Sequence, residues 1–382
     1  MDLKKKIYKS ILKVLPKKNY YPLSEPEINS DDVKFVQNCL KTGWVSSNGT
    51  YLKKFEENLN KILKKKYIVP VINGTSALHL ALIASGIKKN EEVLIPDLSY
   101  ISAANSVNYI GAVPNFVDID LENYSICPKK LKIYLKRTCI IKSGFLFNKK
   151  TRRFIKGLIL VHVFGYPGHI LEIKKICKRF KLKFIEDSSE CLGSYYMKKH
   201  LGTFSDYGVL SFNGNKIITT GGGGAVICNS KKKYKLVQHI SQNSKVQHKW
   251  KFYHDSLGYN YRLSNLAASL GYSQSLRLNY FLKKRSNLFN KYSKIFSKID
   301  EVEMFRPVSR SKPNHWLISF RLIAKYSKLQ SKILNFLIKK KIYSRPPWEL
   351  MSSLPMYKNC PKDNNLNAKD IQKTVICLPS SL

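Results

Sequence analysis

Two neighbouring stretches of this 382-residue sequence carry side chains suited to covalent chemistry. The apolar pair Phe184-Ile185 leads into Glu186-Asp187, and Lys216 follows Asp187 by 29 residues, between the strand pattern GVLSF and four consecutive glycines, Gly221 to Gly224. A lysine amine held at a strand end can condense with an aldehyde. A buried carboxylate can keep a pyridine nitrogen protonated, so that the ring withdraws electrons from a reacting carbon. Both are requirements of pyridoxal 5'-phosphate (PLP) chemistry, and Lys216 and Asp187 are the residues placed in those roles. One lysine among 67 Lys and Arg residues carries little weight alone. The elements that must position it carry the rest.

Short apolar strands alternate with helical patterns. YIVPVI (67 to 72) turns directly into NGTSALHLALIASG (73 to 86); EVLIP (92 to 96), VPNFVDID (113 to 120), LILVHVFGYP (158 to 167) and KFIED (183 to 187) continue the series. Such alternation predicts an open, doubly wound, mostly parallel sheet with ligands at the carboxyl ends of its strands. The junction Gly74-Thr75-Ser76 presents free amides at a helix N-terminus, where a phosphate is favoured, although Thr and Ser also cap ordinary helices. The glycine run is not a nucleotide loop, since neither GxxxxGK[ST] nor GxGxxG is present. Leu52, Phe55, Leu59 and Leu63 recur at helical spacing. A preceding helix from 31 to 42 would be capped by Ser30 or Asp31. Residues 139 to 160 read as two strands around the basic tip NKKTRR. Beyond about 270, long lysine-rich helices and the strand patterns 315 to 324 and 341 to 348 read as a smaller α+β domain. The division is therefore an N-terminal extension (1–30), a large α/β domain (31–268) and a small C-terminal α+β domain (269–382).

The balance of 67 basic to 25 acidic residues makes the chain +42, which raises the question of a polyanionic partner. The lysines are spread along amphipathic segments without a basic tail, finger or RNA-binding signature, so they read as solvated helix faces rather than a nucleic-acid footprint. Eight cysteines form no CxxC pair or Cys/His cluster, so no metal is expected and the compartment is read as the reducing cytoplasm. No signal-peptide pattern or apolar stretch of membrane-spanning length is present, so no stable membrane insertion is expected. A basic helix at 2 to 15 could rest on an anionic membrane surface.

The segments GTFSDYGVLSFNGNKIITTGGGGAV and IEDSSECLGS resemble the lysine and cofactor-ring segments of the DegT/DnrJ/EryC1/StrS sugar aminotransferases. GWVSSNGTYLKKFEENL (43 to 59), INGTSALHLAL (72 to 82), EVLIPDLSYISAANSVNYIGAVPNFVDID (92 to 120), VHVFGYP (161 to 167) and HDSLGYNYRLSNLAASLG (254 to 271) resemble the same family in order. NKKTRR, SRPPWELMSSLPMYKNC and CLPSS resemble the group acting in legionaminic acid and bacillosamine pathways, although the glycine usual after the threonine of the tip is missing. The resemblance implies the aspartate-aminotransferase-like fold of PLP-dependent transferases (fold type I). Lys216 then carries the cofactor, Asp187 holds its ring nitrogen, Glu190 contacts it and Tyr100 stacks on it. Gly74, Thr75, Ser76 and Ser211 hold its phosphate, joined by Asn260 reaching across a homodimer with shared active sites. Trp44, Ser47, His162 and Arg262 are substrate candidates. Relatives that dehydrate sugars carry histidine in place of the lysine.

The implied reaction moves an amino group from glutamate to C4 of a nucleotide-linked 4-keto-6-deoxy sugar, with UDP-4-keto-6-deoxy-N-acetylglucosamine as the first substrate reading. GDP-4-keto-6-deoxymannose, giving GDP-perosamine, is the alternative. The rival from another class is a non-catalytic basic protein binding nucleic acid or membrane surfaces on the same scaffold.

Overall fold

The computed structural model describes residues 2–381. Its centre is a nine-stranded sheet built from β1 (Ile68–Val71), β2 (Glu92–Pro96), β3 (Val113–Val117), β4 (Cys139–Lys142), β5 (Phe145–Asn148), β6 (Arg153–Val161), β7 (Lys183–Asp187), β10 (Tyr207–Ser211) and β11 (Gly224–Cys228). Along the sheet the order is β1-β11-β10-β7-β6-β2-β3. The run from β10 to β3 is parallel, while β11 is antiparallel to both β10 and β1. Parallel strands covered on both faces must be apolar throughout, and β2 and the second half of β6 are accordingly buried at every position. The sheet is the mixed α/β, mainly parallel one that the alternation of elements predicts.

The helices that follow the strands are α4 (Gly74–Ala84), α5 (Ser102–Tyr109), α6 (Pro128–Thr138), α7 (Ile170–Arg179) and α8 (Lys231–Ile240); α2 (Ser30–Lys41) and α3 (Thr50–Leu63) precede them and pack on α9 (Asn265–Leu276). The periodic residues Leu52, Phe55, Leu59 and Leu63 of α3 are all buried. The cap of α2 is Asn29, not Ser30 or Asp31: its Oδ1 accepts from Asp32 N while Asp32 Oδ2 accepts from Asn29 N, a reciprocal capping box. Residues 139 to 160 form three strands rather than two, because Ser143-Gly144 makes a tight turn of its own between β4 and β5. The basic tip is tied down: Glu92 Oε2 accepts from Asn148 Nδ2 at 3.0 Å, and Thr151 Oγ1 donates to Glu92 Oε1. It sits at the amino ends of β2 and β6, remote from the carboxyl ends where ligands bind.

A second core lies under the antiparallel sheet β14 (Val302–Met304), β16 (Ile318–Leu322) and β17 (Val375–Leu378), with α10 (Leu278–Phe296) and α11 (Gln330–Lys339) packed on it. The first helix, α1 (Leu3–Val14), belongs to this core, burying Leu3, Ile7, Ile11 and Val14 against it. Short pairings complete the chain: β8 (Tyr195–Tyr196) with β9 (Lys199–His200) and β15 (Ser311–Lys312), and β12 (Lys245–Val246) with β13 (Tyr253–His254). The pattern at 341 to 348 is no strand. Pro346 and Pro347 have no N–H to give a ladder, and only isolated bridges from Ile342 and Arg345 form.

From Arg345 the chain runs back over the large sheet as a strap and, through α12 (Leu366–Thr374), whose Ala368 and Ile371 pack in the main core, leads into β17. Phe116 N donates to Pro361 O and Asp363 N to Phe116 O, so the strap extends the sheet beyond edge strand β3. Buried Asp97, just past β2, accepts from Ser352 N, Ser352 Oγ and Asn365 Nδ2 at 2.6–2.7 Å.

Candidate active site

The carboxyl ends of β6, β7 and β10 and the N-terminus of α4 converge on a cavity of about 480 Å³. Gly74, Thr75, Tyr100, Asp187, Glu190, Ser211 and Lys216, seven of the sequence-derived candidates, line it. They come from positions spread over more than 140 residues, and the parallel sheet brings them together because every right-handed crossover returns its loop to the same edge.

Lys216 follows a turn closed by Lys216 N donating to Asn213 O. Phe212, fully buried, anchors that turn: its N–H donates to Gly223 O, its carbonyl accepts from Thr220 N, and its ring meets Phe55 edge-on. The amine lies 3.5 Å from Glu190 Oε1 and 3.7 Å from the centroid of the Trp316 ring. Trp316 is itself fixed, since Nε1 donates to Asn215 O at 2.6 Å. Glu190 Oε2 accepts from Phe164 N at 2.7 Å. Burial pushes the Glu190 carboxyl above its ordinary range, and the Lys216 charge offsets this only in part.

Across the cavity, Ser189 N donates to Asp187 Oδ1 at 3.1 Å, which leaves Oδ2 available to a protonated ring nitrogen. At α4 the Asn73 side chain takes Ser76 N at 2.7 Å, so the amides of Gly74 and Thr75 are the ones left for an anion. Ser76 is buried, gives its amide to Asn73 and does not line the cavity. A Cβ on Gly74 would lie 3.1 Å from Ser211 Cβ and 3.3 Å from Ser189 Oγ, so glycine gives the cradle its width. In the glycine run, a Cβ on Gly224 would lie 2.6 Å from the Asn73 carbonyl, whereas Gly222 has nothing nearer than 3.8 Å. Gly224 is needed for that close approach beneath the cradle.

Five other candidates stand elsewhere. His162 does not reach the cavity: it is wholly buried, Gly168 N donates to its Nδ1 at 3.1 Å, and its Nε2–H donates to Glu186 Oε1 at 3.1 Å. Both ring nitrogens are therefore used inside the protein. Glu186 also accepts from Gly202 N, Phe204 N and Ser205 N; burial alone would raise its carboxyl, but these donors and His162 hold it below the ordinary range. Ser47, Asn260 and Arg262 line a separate open cavity of about 1050 Å³ with Lys235, Lys245 and His248, and share no lining residue with the first. Arg262 Nη1 is buried there without a partner among the described residues. Trp44 lines neither cavity and is 60% exposed, its carbonyl held by Asn265 Nδ2.

Trp316, Arg345 and Trp348 also line the first cavity and were not singled out as site residues from sequence. Trp316 stands just before β16 and packs in the main core, and Arg345 and Trp348 lie on the strap, all more than 99 residues beyond Lys216. The only local signal was SRPPW, where two prolines force an extended path that could present Arg345 and Trp348.

The fold and the cavity define a transferase of the PLP-dependent kind. The DegT/DnrJ/EryC1/StrS aminotransferase family model matches residues 26–382, and the chain belongs to that family. It is 32% identical to the GDP-perosamine synthase of Escherichia coli O157:H7 over 94% of this chain and 93% of that one. It is 32% identical to the UDP-4-amino-4,6-dideoxy-N-acetyl-beta-L-altrosamine transaminase of Campylobacter jejuni (strain 81-176), over 72% of this chain and 69% of that one. Among solved structures, the Helicobacter pylori aminotransferase PseC, involved in pseudoaminic acid biosynthesis, superposes with a TM-score of 0.84 at 25% identity, covering 94% of this chain and 93% of its own. The protein is thus a PLP-dependent aminotransferase acting on nucleotide sugars.

Proposed function

We propose that this chain transfers the amino group of glutamate to C4 of a nucleotide-linked 4-keto-6-deoxy sugar. The observation that carries the reading is the Lys216 amine held between Glu190 and Trp316, inside a cavity that Asp187 and the α4 N-terminus also reach. PLP bound there supplies an aldehyde for Lys216 and an electron-withdrawing ring. Asp187 keeps the ring nitrogen charged, Tyr100 covers the ring face, and the Gly74 and Thr75 amides with the Ser211 hydroxyl hold the phosphate. When not covalently engaged, the Lys216 amine moves the proton between the substrate carbon and its surroundings. Glu190 and Trp316 keep that amine aimed into the cavity. Arg345 supplies a fixed guanidinium for an anionic group of donor or sugar.

The Asn260, Arg262 and Ser47 cavity supports a homodimer in which each subunit completes the other's site, because Arg262, whose Nη2 lies 3.8 Å from Glu56 Oε2, keeps a buried Nη1 without a partner among the described residues. The near full-length match to a GDP-perosamine synthase favours GDP-4-keto-6-deoxymannose as the sugar. The similarity to the Campylobacter transaminase, whose sugar is UDP-linked and N-acetylated but altro-configured, keeps a UDP-linked 4-keto-6-deoxy N-acetyl sugar such as UDP-4-keto-6-deoxy-N-acetylglucosamine as the second reading. The test is a visible absorption spectrum of the PLP-loaded protein: glutamate should bleach its yellow band, and the true keto sugar should restore it. A protein that stays colourless with PLP supplied overturns the amino-transfer reading; restoration by the UDP sugar alone selects the second substrate.

A further inference from the structure

One face of the small core is basic without any intervening acidic side chain. Helices α1, α10 and α11 pack together and contain no Asp or Glu, while they carry five, five and two Lys or Arg residues respectively. Of these only Lys4, Lys6 and Lys284 have a carboxylate partner among the described residues, and Arg285 is buried. Lys5, Lys9, Lys13, Lys291 and Lys294 are exposed and unpaired. A helix face adapted only to water ordinarily mixes both signs, because like charges at helical spacing repel.

The same face has an apolar feature. At the end of α1 a slot of about 310 Å³ is walled by Val14, Leu15 and Leu288, with Lys18, Lys284 and Lys291 also lining it. Leu12 and Tyr20, 38% and 50% exposed, stand in the helix and just beyond it. A nucleic acid would use the charge and leave the slot open to water. An anionic lipid uses both, its phosphate on the lysines and part of its chain in the slot. No described helix is long and apolar enough to cross a membrane, and α1 precedes the residues matched by the family model.

We propose that the α1/α10 face docks the enzyme on an anionic phospholipid bilayer. The charge complementarity is electrostatic and falls off within a Debye length, so docking is reversible and salt-sensitive. The experiment is co-sedimentation of the full chain with phosphatidylcholine vesicles, with and without one-third phosphatidylglycerol, at low salt. The result expected is binding to the phosphatidylglycerol vesicles alone. The combined variant Lys9→Glu, Lys13→Glu, Lys291→Glu should weaken it by at least about a hundredfold, given about fivefold for each lysine charge lost near the surface and further repulsion from each glutamate. A matched variant on α6, Lys129→Glu, Lys132→Glu, Lys136→Glu, should lose less than about threefold, because its charge change is equal but lies on the large domain. Circular dichroism and turnover without vesicles should match the parent for both, showing that they fold. Equal losses from the two variants, or no binding to phosphatidylglycerol vesicles, overturn the proposal. So does a face variant that loses duplex DNA at matched phosphate concentration while keeping vesicles.

Discussion

Glu190 reaches the Lys216 amine with one carboxylate oxygen, at 3.5 Å, while its other oxygen is fixed by the backbone N–H of Phe164. Phe164 holds a left-handed conformation, φ 57°, so a strained turn sets the direction from which the carboxylate approaches. The amine is thereby positioned by backbone geometry, not by a freely rotating side chain.

Lys216→Ala should lower turnover by at least about a thousandfold, since it removes both the covalent anchor and the proton carrier. Its unfolding midpoint should stay within a few degrees of the parent, because no core contact is lost. Steady-state assay with thermal unfolding checks both; turnover within tenfold of the parent would exclude Lys216 from the chemistry.

Burial raises the Glu190 carboxyl above 4.5 in the folded chain. The native state then holds a proton that the unfolded state releases, so this group's contribution to stability declines as pH rises from 4.5 through the raised value. Glu190→Gln should therefore raise the melting temperature of the cofactor-free protein at pH 8 by about 2 °C or more, and by nothing at pH 4. Melting curves at the two pH values decide it, and a larger gain at the acid end would reverse the assignment.

Glu186 has the opposite sign. Four donors hold its carboxyl below 4.5, so its contribution is present at neutral pH and is lost as pH falls through the lowered value. Glu186→Gln turns an amide NH₂ toward backbone donors and should cost about 3 kcal/mol at pH 7, less in acid. Denaturant unfolding across pH measures this.

Gly224→Ala should push the Asn73 carbonyl aside, cost about 1–3 kcal/mol and weaken PLP retention on dialysis. Gly222→Ala should leave both unchanged, because its added methyl meets nothing closer than 3.8 Å. Equal retention in the two variants would mean the cradle does not depend on that approach.

Asp97→Ala leaves three donors of the strap without their acceptor, which should cost about 3 kcal/mol. Since the strap carries Arg345 and Trp348 into the cavity, KM for the donor or sugar should rise more than kcat falls. An unchanged KM would show that the strap holds its course without Asp97.

The sequence by itself determined the class of chemistry and the order of elements, because the cavity-lining residues of the large sheet sit in contiguous motifs at strand ends. Lys216 before its glycines, Asp187 closing β7 and Gly74-Thr75 opening α4 are all local patterns, and strand-helix periodicity is a local property. What required the tertiary structure is whatever depends on partners far along the chain. A lone His162 after an apolar strand looks the same whether its ring faces a substrate or a buried glutamate; only the register of β6 beside β7, with Leu160 opposite Glu186, sends it inward. The Ser76 amide is taken by the Asn73 side chain that caps α4, a pairing that the motif alone does not reveal. Trp316, Arg345 and Trp348 enter the site because the chain beyond α10 returns to the main core and its strap crosses the large sheet, a long-range closure that no nearby residue records. The +42 total is visible in composition, but the joining of α1, α10 and α11 into one basic face arises from packing two distant helices beside the first.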